Sequence, residues 1–231
     1  MRFRVATYNV HKCRGMDWRV RPDRIATVLC ELDADIIALQ EVLSSQAQCL
    51  ASKLKQPYVF AGARIHRGVD YGNILFTRFP VTRTENHDIT ISGREERKCL
   101  EAEIQIPGRG ALHVFAVHLG TSWSERRQQA RKLLAPALLG RSNSSAPALL
   151  LGDFNEWTAG VTTRLLSGHL QSINTRAHLG RARTYPGLLP FLHLDHIYYD
   201  QELRLVNVRL LRTPLSLIAS DHLPLAADFE W

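Results

Sequence analysis

Six short apolar runs in this chain end on, or lead into, a residue that can do chemistry, and this pattern restricts the fold more than any other feature. Phe3-Arg4-Val5-Ala6-Thr7-Tyr8 ends on Asn9, and Ile36-Ile37-Ala38-Leu39-Gln40 ends on Glu41. Val114-Phe115-Ala116-Val117 ends on His118, and Leu149-Leu150-Leu151-Gly152 ends on Asp153, with Asn155 two residues on. Phe191-Leu192-His193-Leu194 leads into Asp195, and Ser220-Asp221-His222 precedes a last apolar run at 225–229. Runs of this length read as buried strands. A polar group left unpaired at such a place costs several kcal/mol. Rigid strand ends that share one site resolve that cost and fix the geometry of the site.

The rest of the chain supplies a frame for those strands. Pro22 opens a helix in which Ile25, Val28, Leu29 and Leu32 share one face, and Asp33-Ala34-Asp35 ends it. Ser122-x-x-Glu125 is a capping box for a second helix that turns Ala130, Leu133, Leu134, Ala137 and Leu138 inward. A strand at 73–79 stops at Pro80. Residues 100–106 alternate, with Glu101, Glu103 and Gln105 on a half-exposed face, and 111–119 is apolar on both faces and so central. Strands are also expected at 148–151 and 194–199. Strands outnumber helices and hairpins mix with crossovers, which predicts a layered α/β fold with mixed sheets. The segment Arg141-Ser142-Asn143-Ser144-Ser145 is too short for a linker, so 1–231 reads as one domain.

With 231 residues, 45% hydrophobic and 22% charged, the chain is too apolar for disorder and has no run near the ~18 residues of a membrane span. Met1 is followed by Arg2-Phe3-Arg4-Val5, which does not resemble a secretory signal, and a cytoplasmic protein is expected. Cysteines at 13, 30, 49 and 99 form no Cys-x-x-Cys pair, so free thiols are expected and a structural zinc is not. Nothing demands a protein partner, and a monomer is expected. The formal charge of +7 points to a polyanionic partner.

Four carboxylates, Glu41, Asp153, Asp195 and Asp221, suit a hard cation such as Mg²⁺ or Mn²⁺. Asn9 and Asn155 offer amides, and His118 and His222 can donate to a phosphate or move a proton near neutral pH. A carboxylate-held metal with His and Asn is equipment for hydrolysing a phosphate ester.

The strings Thr7-Tyr8-Asn9-Val10-His11, Leu39-Gln40-Glu41-Val42, Val117-His118-Leu119, Gly152-Asp153-Phe154-Asn155, Leu194-Asp195-His196-Ile197 and Ser220-Asp221-His222-Leu223-Pro224 resemble, in order, the motifs of the endonuclease/exonuclease/phosphatase superfamily. The resemblance implies a four-layer α/β sandwich, with two mixed β-sheets packed face to face and helices outside. It implies Glu41 as principal metal ligand, with Asn9 beside it and Asp221 approaching the metal in a one-metal or two-metal scheme. It also implies that Asp153 orients or deprotonates the attacking water, that Asn155, His118 and His222 contact the phosphate, and that Asp195 orients His222. Either Asp153 or His222 could be the general base. Arg97 is either a phosphate-facing arginine or a solvated surface charge, and Asn73 either a substrate-binding polar position or a strand-initiating turn residue.

The superfamily's substrates range from DNA and RNA to lipids and inositol phosphates. Leu194-Asp195-His196 and Gly152–Trp157 depart from abasic-site endonucleases, and there is some likeness to tyrosyl–DNA phosphodiesterases around His118 and Asp195. Basic residues cluster near the motifs: Arg14, Arg19 and Arg21; Arg64 and Arg67; Arg94, Arg97 and Lys98; Arg126, Arg127, Arg131 and Lys132; Arg176, Arg181 and Arg183. They either track a phosphate backbone or are solvated faces. Trp18, Trp123, Trp157 and Tyr185 could stack on bases, but core packing is the expectation for each. The leading expectation is a DNA nuclease of low sequence specificity. The alternatives are a phospholipid or small phosphate ester as substrate, a tyrosyl–DNA linkage, or a binding module without catalysis. Gly187-Leu188-Leu189-Pro190-Phe191-Leu192 could dip into a bilayer, although core burial is expected for it.

Overall fold

Strand alternation builds the molecule. On β1 (Arg2–Asn9) Phe3 and Val5 face one way while Ala6 and Tyr8 face the other, and both sets are buried. A strand that is apolar on both faces needs a layer on each side. The computed structural model describes residues 1–140, 146–157, 160–173, 175–180 and 183–231. The segment 141–145, Arg181 and the side chain of Arg176, all singled out in the sequence, lie outside the described residues.

The elements follow in chain order. After β1 come α1 (Pro22–Leu32), β2 (Ile36–Leu43), α2 (Ser44–Leu54), β3 (Tyr58–His66), β4 (Val69–Thr77), β5 (Val81–Asp88), β6 (Lys98–Ile106) and β7 (Gly110–His118). The second half has α3 (Trp123–Leu133), β8 (Ala148–Asp153), α4 (Val161–Leu166), β9 (Gln171–Ser172), α5 (Thr175–Leu179), β10 (Asp195–Tyr199), β11 (Arg204–Leu210), α6 (Pro214–Ala219) and β12 (Leu225–Glu230). One six-stranded sheet has the order β11-β12-β1-β2-β4-β3, the other β5-β6-β7-β8-β10-β9. The pairs β1–β2 and β7–β8 are parallel; the other ladders are antiparallel.

Three apolar layers separate the four structural ones. Phe3, Val5, Ile36, Leu75, Leu100, Val114, Leu149, Leu151 and Phe229 fill the space between the sheets. Ile25, Val28, Leu29 and Leu32 of α1 and Leu50 of α2 pack on the outer face of the first sheet. Leu133 of α3 and Leu166 of α4 pack on the outer face of the second. The architecture is the expected sandwich of two mixed sheets with helices outside.

Local chemistry explains where the elements stop. Pro22 stands at the start of α1, and Asp33 ends it in a left-handed conformation (φ 48°) while its N–H bonds Leu29 O. Ser122 caps α3 by accepting from the N–H of Glu125. The reciprocal half of the expected capping box is absent, because the Glu125 carboxylate is buried and accepts from Gln129. The helix stops at Leu133, so Leu134 is only half-buried and Ala137 is exposed, while Leu138 is buried as expected. Glu101 is buried rather than half-exposed, for β5 and β7 flank it with histidines. Strand β5 and helix α2 carry too many polar residues to show in the sequence; their partners impose them. The four cysteines are free. Among the described residues no helix is long and apolar enough to cross a membrane.

Phe229 of β12 ties the two sheets together, with its ring centroid 5.0 Å from that of Tyr199 on β10 and 6.1 Å from that of Phe3. Replacing Phe229 by Ala should cost about 3–5 kcal/mol in urea unfolding. A loss under about 1 kcal/mol would show that the sheets are not held by this layer.

Candidate active site

The inter-sheet face of each central strand is apolar along most of its length and turns polar at one end. On β1 the series is Phe3, Val5, Thr7, Asn9; on β7 it is Leu112, Val114, Ala116, His118; on β8 it is Leu149, Leu151, Asp153. β10 runs the opposite way and begins on Asp195 before Ile197 and Tyr199. His118 and Asp195 are both ladder partners of Asp153, so the three lie in one row. Asp221 and His222 enter the same edge from the turn before β12.

Glu41 arrives by a different device. Strict alternation along β2 would send it to the helix side. Instead the β2–β4 register shifts between Leu39 and Val42, and Glu41 takes a positive φ of 60°. This bulge turns its carboxylate into the cleft. Gly152 serves Asp153 in a comparable way: a Cβ there would lie 1.9 Å from the Val117 carbonyl oxygen, and φ is +154°. Only glycine lets β8 approach β7 so closely.

The side chains meet in a cleft of about 490 Å³. Asn9 Nδ2 donates to Glu41 Oε1 (3.2 Å) and to Asp153 Oδ2 (2.9 Å), and Asn9 Oδ1 accepts from the His11 N–H (3.0 Å). Asn9 therefore bridges the two carboxylates through N–H, and its oxygen is already engaged. Asp153 Oδ2 also lies 3.6 Å from His118 Nε2 and 3.6 Å from His222 Nε2. Asp153 Oδ1 accepts from the Asn155 N–H (2.9 Å), and Asn155 Nδ2 donates to Leu119 O. His222 Nδ1 is 2.8 Å from Asp195 Oδ2, the pairing that the sequence led us to expect. Asp221 lies 3.6 Å from His11 Nδ1.

Tautomers and charges follow from the neighbours. Arg97 is buried and its guanidinium donates to His118 Nδ1 (3.2 Å), which leaves the ring proton on Nε2, toward Asp153. Burial and the Arg97 charge lower the His118 pKa to about 4 against the pull of Asp153 and Glu41. His222 goes the other way. Burial alone would lower its pKa, but the carboxylates of Asp195, Asp153 and Asp221 raise it to about 10. For Glu41, burial raises the pKa, and His118 when charged, the Lys12 ammonium and hydrogen bonds from Lys12 and Asn9 outweigh it, holding the carboxyl well below its usual range. His118 is neutral at pH 7, so Lys12 is the cation that keeps Glu41 ionised.

The structure thus brings together Asn9, Glu41, His118, Asp153, Asn155, Asp195, Asp221, His222 and Arg97. Asn73 is placed elsewhere: its amide is buried and donates to the carbonyls of Lys98 (3.2 Å) and Ala116 (3.4 Å), tying β4 to the opposite sheet. Lys12, His11 and Tyr71 also line the cleft and were not singled out, and Arg64, expected as part of a basic cluster, lines it too. Lys12 Nζ is 2.9 Å from Glu41 Oε2. Its only sequence signal is its place three residues after Asn9. Tyr71 and Arg64 belong to the β3–β4 hairpin, of which the sequence shows only half. The aromatic expectation is corrected: Trp18, Trp123 and Trp157 are exposed, Trp157 by 66%, and Tyr185 is half-buried with its ring 4.9 Å from that of His222. Core burial of 187–192 is corrected too, for Leu188, Leu189 and Phe191 are exposed. Arg126 is buried and donates to Gly120 O and Thr121 O, so it belongs to the fold and not to a solvated rim.

The donor set fits a hard divalent cation. Glu41 and Asp221 present carboxylate oxygens to the cleft, no cysteine lines it among the described residues, and each carboxylate faces a basic side chain, Lys12 or His11, as oxygens that match positive charge should. These two residues would hold the ion.

The His222–Asp195 pair makes a direct prediction. The folded-state pKa lies above the unfolded value, so the stability it contributes is fully present below about pH 6.5 and fades as pH rises toward 10. In EDTA at about pH 8, ¹⁵N NMR should show both ring nitrogens of His222 protonated, and Asp195→Asn should bring its midpoint below about 8. A wild-type midpoint near 6.5 would contradict the assignment.

Known proteins share this arrangement of strands. A model of the Endonuclease/Exonuclease/phosphatase family matches residues 6–222. The uncharacterized Escherichia coli protein YbhP is 31% identical over 247 residues, covering 99% of this chain and 96% of that one. Among solved structures, the mannosyl-6-phosphatase of Bacteroides thetaiotaomicron has a TM-score of 0.83 at 18% identity, over 99% of this chain and 100% of that one. The D. rerio TDP2 complexed with single strand DNA product has a TM-score of 0.78 at 18% identity, over 100% and 99%. These two structural likenesses, at such low identity, show the fold alone. The chain belongs to the endonuclease/exonuclease/phosphatase family, whose members are hydrolases of phosphoester bonds.

Proposed function

We propose that the protein is a Mg²⁺- or Mn²⁺-dependent phosphodiesterase that cuts DNA with little sequence preference. The observation that carries the chemistry is the surroundings of Asp153: a buried carboxylate at the floor of an open cleft, met by Asn9, His118 Nε2 and His222 Nε2. When bound at Glu41 and Asp221, the metal supplies Lewis-acid neutralisation of phosphate charge. The chain's own groups divide the remaining work. His222, held cationic by Asp195, donates from Nε2 to a phosphate oxygen. His118, neutral with its proton on Nε2, donates a second hydrogen bond, and Arg97 fixes that tautomer. Asp153 accepts the proton of the attacking water. This favours Asp153 over His222 as general base, because an imidazole that is already protonated at neutral pH cannot take a proton. Asn155 contacts the phosphate from the turn after β8, and Asn9 keeps Asp153 and Glu41 in register.

The substrate reading rests on the walls. Arg64 and Arg97 line one side of the cleft, while exposed Trp157 and half-buried Tyr185 offer ring faces. The +7 charge suits a polyanion. The relative solved with single-stranded DNA is consistent with this use of the fold. Four free thiols fit a reducing compartment, and we place the protein in the cytoplasm as a monomer. A second reading, a phospholipid substrate, is favoured by one observation: Leu188, Leu189 and Phe191 are exposed on the loop whose Leu192 lines the cleft.

One panel separates these readings. Plasmid, single-stranded DNA, RNA, a tyrosyl-linked oligonucleotide and a lipid phosphodiester are offered in Mg²⁺, Mn²⁺ or EDTA, with Glu41→Gln as control. DNA cleavage that needs the metal, disappears in Glu41→Gln and falls more than about tenfold between 50 and 200 mM salt is the expected result. Hydrolysis of the lipid alone would establish the second reading, and full activity in Glu41→Gln would overturn the site.

A further inference from the structure

Among the described residues, one cluster of three histidine and carboxylate side chains close enough to share an ion lies outside the cleft. It consists of Glu85 and His87 on β5 and Glu101 on β6, with ligand atoms all within 4.8 Å of one another. These residues occupy the outer face of the second sheet. His118 projects from the opposite face of that sheet.

The charge pattern there favours a cation. Glu85 and Glu101 are direct partners across the β5–β6 ladder. Like charges placed opposite each other destabilise a sheet, and Glu101 is 3% exposed, so water screens it little. His87 Nε2 stands between them, 2.6 Å from Glu101 Oε2 and 3.4 Å from Glu85 Oε2. His113 of β7 closes the other side, with Nδ1 3.2 Å from Glu101 Oε1. The remaining oxygen of Glu85 is paired with Arg83. One ring proton on His87 can serve one carboxylate well at a time, whereas a dication serves both.

We infer that Glu85, His87 and Glu101 form a second metal site, selective for a borderline transition ion such as Zn²⁺, that pins the edge strand β5 to the sheet. One imidazole nitrogen with two carboxylate oxygens is a donor set that Zn²⁺ accepts and Mg²⁺ does not prefer. His113 donates to the Glu101 oxygen that the ion does not use and so orients the ligand. β5 needs such a clip because it lies at the sheet edge and is polar almost throughout, so burial contributes little to holding it.

The test is thermal unfolding of the full chain in EDTA and with Zn²⁺, in wild type, His87→Ala and Glu41→Gln. Zn²⁺ at about a hundredfold over its Kd should raise Tm by about 5–10 °C in wild type and in Glu41→Gln, and leave His87→Ala unmoved. Co²⁺ added in place of Zn²⁺ should give visible ligand-field bands in the first two proteins and none in His87→Ala. Because His87 lies outside the cleft, Mg²⁺-dependent hydrolysis by His87→Ala should match wild type. A Tm rise retained in His87→Ala, or one abolished by Glu41→Gln, would place the ion elsewhere and overturn the inference. Failure of the wild type to respond to Zn²⁺ would overturn it as well.

Discussion

Everything at the active edge depends on the match between one buried carboxylate and the groups around it. Asp153 is 1% exposed, and an ionised carboxylate taken out of water without partners is prohibitively expensive. Its partners come from both sheets. Asn9 reaches across from β1, and His222 comes from the turn before β12, whereas Asp153, His118 and Asp195 stand on the second sheet. Asn73 adds a third crossing, from β4 to the carbonyls of Lys98 and Ala116. The apolar layer between the sheets thins toward this edge, and polar crossings replace it. The candidate site is therefore also a clasp of the sandwich, and its geometry is fixed by both sheets.

The same edge concentrates backbone strain. Glu41, Asn155 and the run His11-Lys12-Cys13 all take positive φ without being glycine. Each such residue costs on the order of 1 kcal/mol or more. In return Glu41 is turned off its strand's alternation into the cleft, and Lys12 is set against it. The two histidines show what this rigidity does. They approach the same Asp153 oxygen at equal distance, yet Arg97 behind one and Asp195 behind the other drive their pKa values apart. Two identical side chains thereby become a neutral donor and a cationic one.

Much of this was legible in the sequence because it rests on period two. Asn9, His118 and Asp153 each fall two residues beyond an inward-facing position of a buried strand, so the apolar runs point to them directly. The layered α/β class followed from the same alternation, whereas the four-layer sandwich was implied by the resemblance of the motif strings to a known superfamily. What stayed hidden depends on partners. The polar edge strand β5 exists because β6 offers a ladder, and it carries the Glu85–His87 pair. Lys12 and Arg64 become site residues only through a strained turn and a hairpin. Asn73 and Arg126 looked functional from position or charge, and their burial turns both into structural ties. Exposure of Trp157 and of the loop at 187–192 also escaped, since apolar content alone cannot distinguish a core residue from one left at a rim.

In the proposed reaction Asp153, not a histidine, takes the proton of the attacking water. The most direct measurement is kcat for a chromogenic phosphodiester in Mg²⁺ for Asp153→Asn, a substitution that keeps shape and removes the base, with unfolding measured alongside. The account predicts a fall of about 10²–10⁴-fold with folding intact. Wild-type turnover in a folded Asp153→Asn protein would contradict it.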